Sequence, residues 1–236
     1  IIPPKAGEDT FKLKHIKIGL LSTPDASLFQ AKQEISHYGQ NTLEMFHKMV
    51  QAYDKPRGEF EKEFDRLLKM EDESDQVEVD IADYLTKVSE SRLTSENSQR
   101  VRSMFKIVSE IESVADSILN VSKAVQRRHE QGVVFPEELN EKVKHMFALV
   151  DLAITVMCSN LSKEYTAVNE KKAYESEHAI NDYRTMLKQE HLLAIEEKRY
   201  NYTTGILYND IFSECEKIGD YVINVTQAIK EIGHQN

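Results

Sequence analysis

Apolar residues recur along this chain at helical spacing, and strand-type alternation is scarce. Val101, Met104, Phe105, Val108, Ile111, Ala115, Ile118, Val121 and Val125 form one stripe. Ile211, Ile218, Val222, Val225 and Ile229 form an equivalent one. Each reads as the core-facing side of a long helix. The prolines at 3, 4, 24, 56 and 136 leave 57–135 and 137–236 free of helix-breaking residues. Thr23-Pro24-Asp25 reads as N-cap, first-turn proline and first-turn acid. Lys55-Pro-Arg-Gly58, Ser91-Arg-Leu-Thr-Ser95 and Gln131-Gly-Val-Val-Phe-Pro136 mark further junctions. These signals predict helices at 25–54, 58–89, 95–130, 137–168, 170–198 and 203–231. Short connections imply antiparallel neighbours. The expected fold class is all-α, a tandem pair of three-helix bundles with pseudo-symmetric halves. The expected parts are a lead-in over 1–23, a first bundle over 24–132 and a second over 133–236.

Composition narrows the function. With 236 residues, 40% of them hydrophobic, the chain can bury one sizeable core or two small ones. Its formal charge of −10 disfavours nucleic acid, whose phosphates recruit basic patches. It suits divalent cations or a basic protein partner instead. Two isolated cysteines, Cys158 and Cys215, fit a reducing compartment and neither a disulfide framework nor a thiolate zinc site. Cys215 falls at an apolar repeat position equivalent to Ile111, so it reads as core rather than nucleophile. The longest apolar stretch, Phe147 to Cys158, is interrupted by Asp151 and falls short of a membrane span. No cationic, apolar signal peptide opens the chain. The first residue is Ile, and the expectation is a piece of a longer protein.

A carboxylate pattern occurs twice. Ser109-Glu-Ile-Glu-Ser-Val-Ala-Asp-Ser-Ile-Leu-Asn-Val-Ser-Lys-Ala-Val125 aligns without a gap on Ser213-Glu-Cys-Glu-Lys-Ile-Gly-Asp-Tyr-Val-Ile-Asn-Val-Thr-Gln-Ala-Ile229. The identical pairs are Ser109/Ser213, Glu110/Glu214, Glu112/Glu216, Asp116/Asp220, Asn120/Asn224, Val121/Val225 and Ala124/Ala228. Glu-x-x-x-Asp places two carboxylates on one helix face, about 6 Å apart along the axis. Like charges at that spacing cost an isolated helix about 0.2–0.5 kcal/mol. Recurrence at matched positions points to a cation between them. The preceding helices carry matching chemistry in Glu71/Asp75 and in Glu177/Asn181, where an amide replaces the second acid. A second alignment, Glu73-Ser-Asp75 on Glu175-Ser-Glu177, is also open. Hard oxygen donors without thiolate suit Mg²⁺, Mn²⁺, Ca²⁺ or iron, with zinc possible.

At these residues the chain resembles the PhoU family of phosphate-signalling proteins. Glu216-Lys-Ile-Gly-Asp220 with Asn224 is similar to its second-repeat signature. Glu177-His-Ala-Ile-Asn-Asp-Tyr-Arg184, Glu190-His191 and Gly205-Ile-Leu-Tyr208 resemble the version fused behind sodium/phosphate cotransporters. Leu20-Leu-Ser-Thr-Pro-Asp-Ala-Ser-Leu28 resembles the passage from a membrane domain into such a module. The resemblance covers about 20–232, and the second-repeat motifs are its most specific part. It implies a regulator, not an enzyme, that binds iron, manganese, zinc or magnesium and restrains phosphate uptake. The implied metal positions are Glu71, Asp75, Glu112, Asp116, Glu177, Asn181, Glu216 and Asp220. The implied partner is a membrane phosphate transporter domain on the same or another chain, with a homo-oligomer as a further possibility. The implied location is the cytoplasmic side of the inner membrane, without insertion of this segment itself. Asn181 departs from the all-acid pattern, and Ala115 replaces the glycine of the second motif.

Two other readings compete. A metal-free structural or adaptor bundle treats the acids as a solvated face. A ferritin-like di-metal enzyme needs an inward Glu-x-x-His on each of two helices. Glu175-Ser-Glu-His178, close to the acidic motif of the second half, carries that spacing. His178 and His191 lie near the acidic helices and read as surface or supporting groups. Tyr165, Tyr174, Tyr183, Tyr200, Tyr202, Tyr208 and Tyr221 crowd the second half, where their hydroxyls are expected mostly at solvent-facing edges.

Overall fold

The computed structural model describes residues 13–16 and 23–233, and there the chain forms six long helices and no strand. They are α1 (Pro24–Tyr53), α2 (Arg57–Ser89), α3 (Ser95–Glu130), α4 (Glu137–Ser162), α5 (Glu170–Glu196) and α6 (Tyr202–Gly233). Residues 1–12 and 17–22 of the expected lead-in lie outside the described residues.

The helix starts follow the punctuation of the sequence. Pro56 and Pro136 stand just before α2 and α4, where the missing N–H costs nothing. Thr94 caps α3, its hydroxyl accepting from the Asn97 N–H at 3.1 Å. Thr23 occupies the N-cap position of α1, but its side chain makes no capping bond. Asp25 instead ties α1 to α3, accepting from Asn97 Nδ2 at 2.9 Å. Gly132, with φ +63°, closes α3 in the left-handed region that glycine adopts without steric cost.

Helix α4 is shorter than expected, ending at Ser162 instead of 168, and a 3₁₀ turn over Tyr165–Ala167 follows. The cause is Asn160, fully buried, whose side-chain oxygen accepts from the Asn169 N–H at 3.0 Å. That bond folds the chain back at a place with no proline or glycine to announce it. Helix α4 also corrects the expectation on membrane spans. By length and composition it is apolar enough to cross a bilayer, with a mean hydropathy of 1.4 in its best window. Half of that window is buried inside the bundle, so its apolarity serves at least in part as core.

Within the first half α1, α2 and α3 all pack on one another, and α4, α5 and α6 do the same in the second. The halves meet through α1 against α4 and, most extensively, through α3 against α6. Helices α3 and α6 run antiparallel, as shown by Asn224–Glu110 near one end of the contact and Arg127–Asp210 near the other. Both apolar stripes meet there, so Ile111, Ile118, Val121, Ile218, Val225 and Ile229 lie in a single buried cluster spanning both halves. The described part of the lead-in is held to this body. Glu34, 1% exposed, accepts backbone N–H bonds from Lys14 (2.9 Å), His15 (2.6 Å) and Ile16 (3.1 Å), and Ile16 is buried.

Candidate metal centre

The first-half acids converge because α2 and α3 turn their polar stripes toward one another above the core. Glu71, Asp75 and Glu78 follow at i, i+4 and i+7 on one face of α2, opposite Glu112 and Asp116 of α3. Their mutual field is visible in their protonation. Partial burial comes first in raising Glu112, followed by the charges of Glu78, Asp75 and Asp116, and together they push it up to about 7. Glu71 is raised by burial, then by Asp75, with Lys123 pulling back. Asp75, at the exposed rim, is raised by partial desolvation and then by Asp116. Glu78 is raised by burial and then by Asp75. Beneath them Tyr38 of α1 bonds to the Ser74 hydroxyl at 2.9 Å, which fixes the α2 backbone beside Asp75.

The second half holds the same four positions differently. Asn181 Nδ2 donates to Glu177 Oε1 at 2.5 Å, and His178 Nδ1 lies 3.4 Å from Glu177 Oε2. Arg184 Nη2 sits 3.5 Å from Glu216 Oε1. Burial raises the Asp220 carboxyl, and Arg184 lowers it in part. Arg184 follows Glu177 by seven residues, as Glu78 follows Glu71, so the same turn of the helix carries an acid in one half and a guanidinium in the other.

Sequence reasoning missed both Glu78 and Arg184. The signal was present, since i+7 continues the stripe of i and i+4. The motif alignment stopped one turn short of it. Among the described residues, no three His, Cys, Asp or Glu side chains form a ready-made coordination set. The first half is therefore an electrostatic cluster of five carboxylates, chemically suited to a hard divalent cation. The second fits one less well, because an arginine already answers part of its charge. Glu175 and His178, the Glu-x-x-His weighed for a di-metal site, are both exposed and not turned into the bundle. Cys158 and Cys215 are buried, and burial pushes the Cys158 thiol up to about 12 and raises Cys215 as well, the opposite of an activated nucleophile.

Not all of the repeat concerns charge clusters. Asn224 donates to Glu110 Oε2 at 3.0 Å across the α3–α6 contact, and Val121, Ala124, Val225 and Ala228 are buried there. Four of the seven identical pairs thus include residues of the seam between the halves.

The family model for the PhoU domain matches residues 35–125, which contain the first-half cluster. The resemblance read from the sequence was most specific in the second repeat, so the matched part is the other one. The fold is that of the crystal structure of PhoU from Pseudomonas aeruginosa, at a TM-score of 0.79 and 14% identity over 90% of this chain and 99% of that one. It is similar too to the phosphate transport system regulatory protein PhoU from Streptococcus pneumoniae, at 0.73 and 19% identity over 90% and 98%. No curated protein matches the sequence. The chain therefore matches the PhoU domain model over residues 35–125, within an all-α fold that it shares with these two PhoU structures along nine-tenths of its length.

Proposed function

We propose that this chain is a non-catalytic regulator of phosphate uptake whose α2/α3 carboxylate face takes up a divalent metal ion. The observation that carries the reading is the crowding of Glu71, Asp75, Glu78, Glu112 and Asp116, four of which have raised pKa values. A dication there turns mutual repulsion into coordination. Iron, manganese, zinc or magnesium would be held by these oxygens and would supply charge neutralisation that locks α2 to α3. Glu177, Asn181, Glu216 and Asp220 form a second, weaker site, since Asn181 brings no charge and Arg184 competes for Glu216. The metal-locked bundle acts on a membrane phosphate transporter from the cytoplasmic side of the inner membrane, with a fused sodium/phosphate cotransporter domain as the preferred partner. The similar PhoU structures motivate this partner, one of them being a phosphate transport system regulatory protein.

Calorimetric titration of Mn²⁺, Zn²⁺ and Fe²⁺ tests the metal reading. Wild type is expected to bind below millimolar concentration, with Asp116→Asn losing the tighter site and Asp220→Asn the weaker. Bound metal should also raise Tm, contributing about 2.7 kcal/mol at a hundredfold excess over Kd. Absence of binding below millimolar concentration, or binding by both variants as tight as that of wild type, would leave a metal-free adaptor bundle. Phosphate uptake in cells producing the transporter with wild-type or Asp116→Asn chain tests the regulatory part separately.

A further inference from the structure

A recess of about 270 Å³ opens at the far end of the second bundle, between the start of α4, the end of α5 and the start of α6. It lies about two helical turns from Asn181 along α5 and from Glu216 along α6, apart from the carboxylate face. Three locally unfavourable features converge on it. Tyr208, which lines it, is 2% exposed, and its buried hydroxyl has no hydrogen-bond partner. Tyr208 is thus an exception to tyrosine hydroxyls lying mostly at solvent-facing edges, and a buried hydroxyl without a partner destabilises the fold that holds it. Lys198 holds φ at 55°, a left-handed position usually given to glycine, and it turns Arg199 to the rim. Gly205 stands inside α6, where a Cβ would meet His191 Cε1 at 2.8 Å, so glycine there lets the imidazole reach the wall. His191 Nδ1 in turn bonds the Tyr200 hydroxyl at 2.7 Å, and the Tyr208 ring is held edge-on by Phe135 and Phe212.

The charges around the recess balance. Lys142 bridges Glu138 at 2.6 Å and Glu190 at 2.7 Å, and Arg199 pairs with Glu197 at 2.9 Å. Two carboxylates oppose a simple anion, and two cations oppose a simple amine. A ligand carrying one charge of each sign meets both. Leu139 and Ala194 add a small apolar wall. We propose that this recess binds a small zwitterion of the α-amino acid class. Its ammonium faces Glu138 and Glu190, its carboxylate faces Arg199 and Lys142, and the Tyr208 hydroxyl bonds its polar end. The volume, below the usual range of about 300–1,000 Å³ for ligand pockets, sets the size at that of a single amino acid.

Titration calorimetry on the 236-residue chain with chelator present tests this, using L-leucine, L-glutamine, L-arginine and L-glutamate against n-butylamine, acetate and inorganic phosphate. At least one amino acid is expected to bind with a Kd below about 1 mM and more tightly than any of the three single-charge probes. Tyr208→Phe and Arg199→Met should each weaken that binding about tenfold. Tyr208→Phe should also leave the ligand-free Tm unchanged or raised, since it deletes an unmet hydroxyl. No amino-acid binding in wild type, binding by the two variants as tight as that of wild type, or binding of butylamine, acetate or phosphate as tight as that of the amino acids would each overturn the proposal. A lowered ligand-free Tm in Tyr208→Phe would overturn its premise, because the hydroxyl would then have a water partner.

Discussion

Asn224 of α6 donates a 3.0 Å hydrogen bond to Glu110 of α3, joining one copy of the repeated motif to the other. Both residues belong to the identical pairs of the repeat. The symmetric counterpart would join Asn120 to Glu214. Asn120 instead donates to Asp116 on its own helix at 3.3 Å, and Glu214 pairs with Lys217 at 2.8 Å. The repeat is therefore used asymmetrically at its own seam. Asn224→Ala should cost about 1–2 kcal/mol, because it strips a partner from a half-buried carboxylate. Asn120→Ala should cost less than half of that, and urea unfolding of the two variants checks the order.

Stability of the metal-free chain should fall as pH rises through the range set by Glu112. Its carboxyl moves from an ordinary value of 4.5 to about 7 in the fold. A raised acid binds its proton more tightly folded than unfolded, so its contribution is intact below 4.5 and lost by about pH 7. Glu112→Gln removes that loss. At about pH 8, with chelator, the variant should exceed wild type by about 1–2 kcal/mol after allowance for solvent screening. The difference should vanish at about pH 4. Thermal unfolding at both pH values measures it, and a variant no more stable at the higher pH would contradict the raised carboxyl.

The second-half site should be limited by Arg184. Arg184→Met frees Glu216 from a cation at 3.5 Å and leaves the other positions in place. Removing that competitor should tighten the weaker class of Mn²⁺ sites about tenfold while the tighter class stays as it was. An unchanged isotherm would mean that the guanidinium does not hold the site closed.

Glu34 anchors the segment ahead of α1. Glu34→Ala would leave the Lys14, His15 and Ile16 amides without their acceptor and should cost about 2–4 kcal/mol. Hydrogen exchange at those three amides should accelerate in the variant. Protection equal to wild type would show that Ile16 packing alone holds the segment.

Five of the six helices begin within a residue or two of the sequence expectation and end equally close, because proline, glycine and capping residues act locally on the backbone. The end of α4 was not legible, since Asn160 acts on Asn169 only once both reach the same buried corner. The four α2/α3 acids of the motif were legible from i, i+4 spacing, which places side chains on one face whatever lies across from it. What faces them is a tertiary matter. Glu78 and Arg184 occupy the same turn of equivalent helices, yet one adds to a carboxylate cluster and the other neutralises part of one. The sequence by itself determined the helices, their buried stripes and the duplication, all consequences of short-range periodicity. Only the packing of α3 on α6, α2 on α3 and α5 on α6 decided which repeated residues hold the seam, which acids crowd together, and that Tyr208 and Arg199 meet at one recess. Contacts between distant segments depend on the register and rotation of whole helices, and one-dimensional spacing does not carry that information.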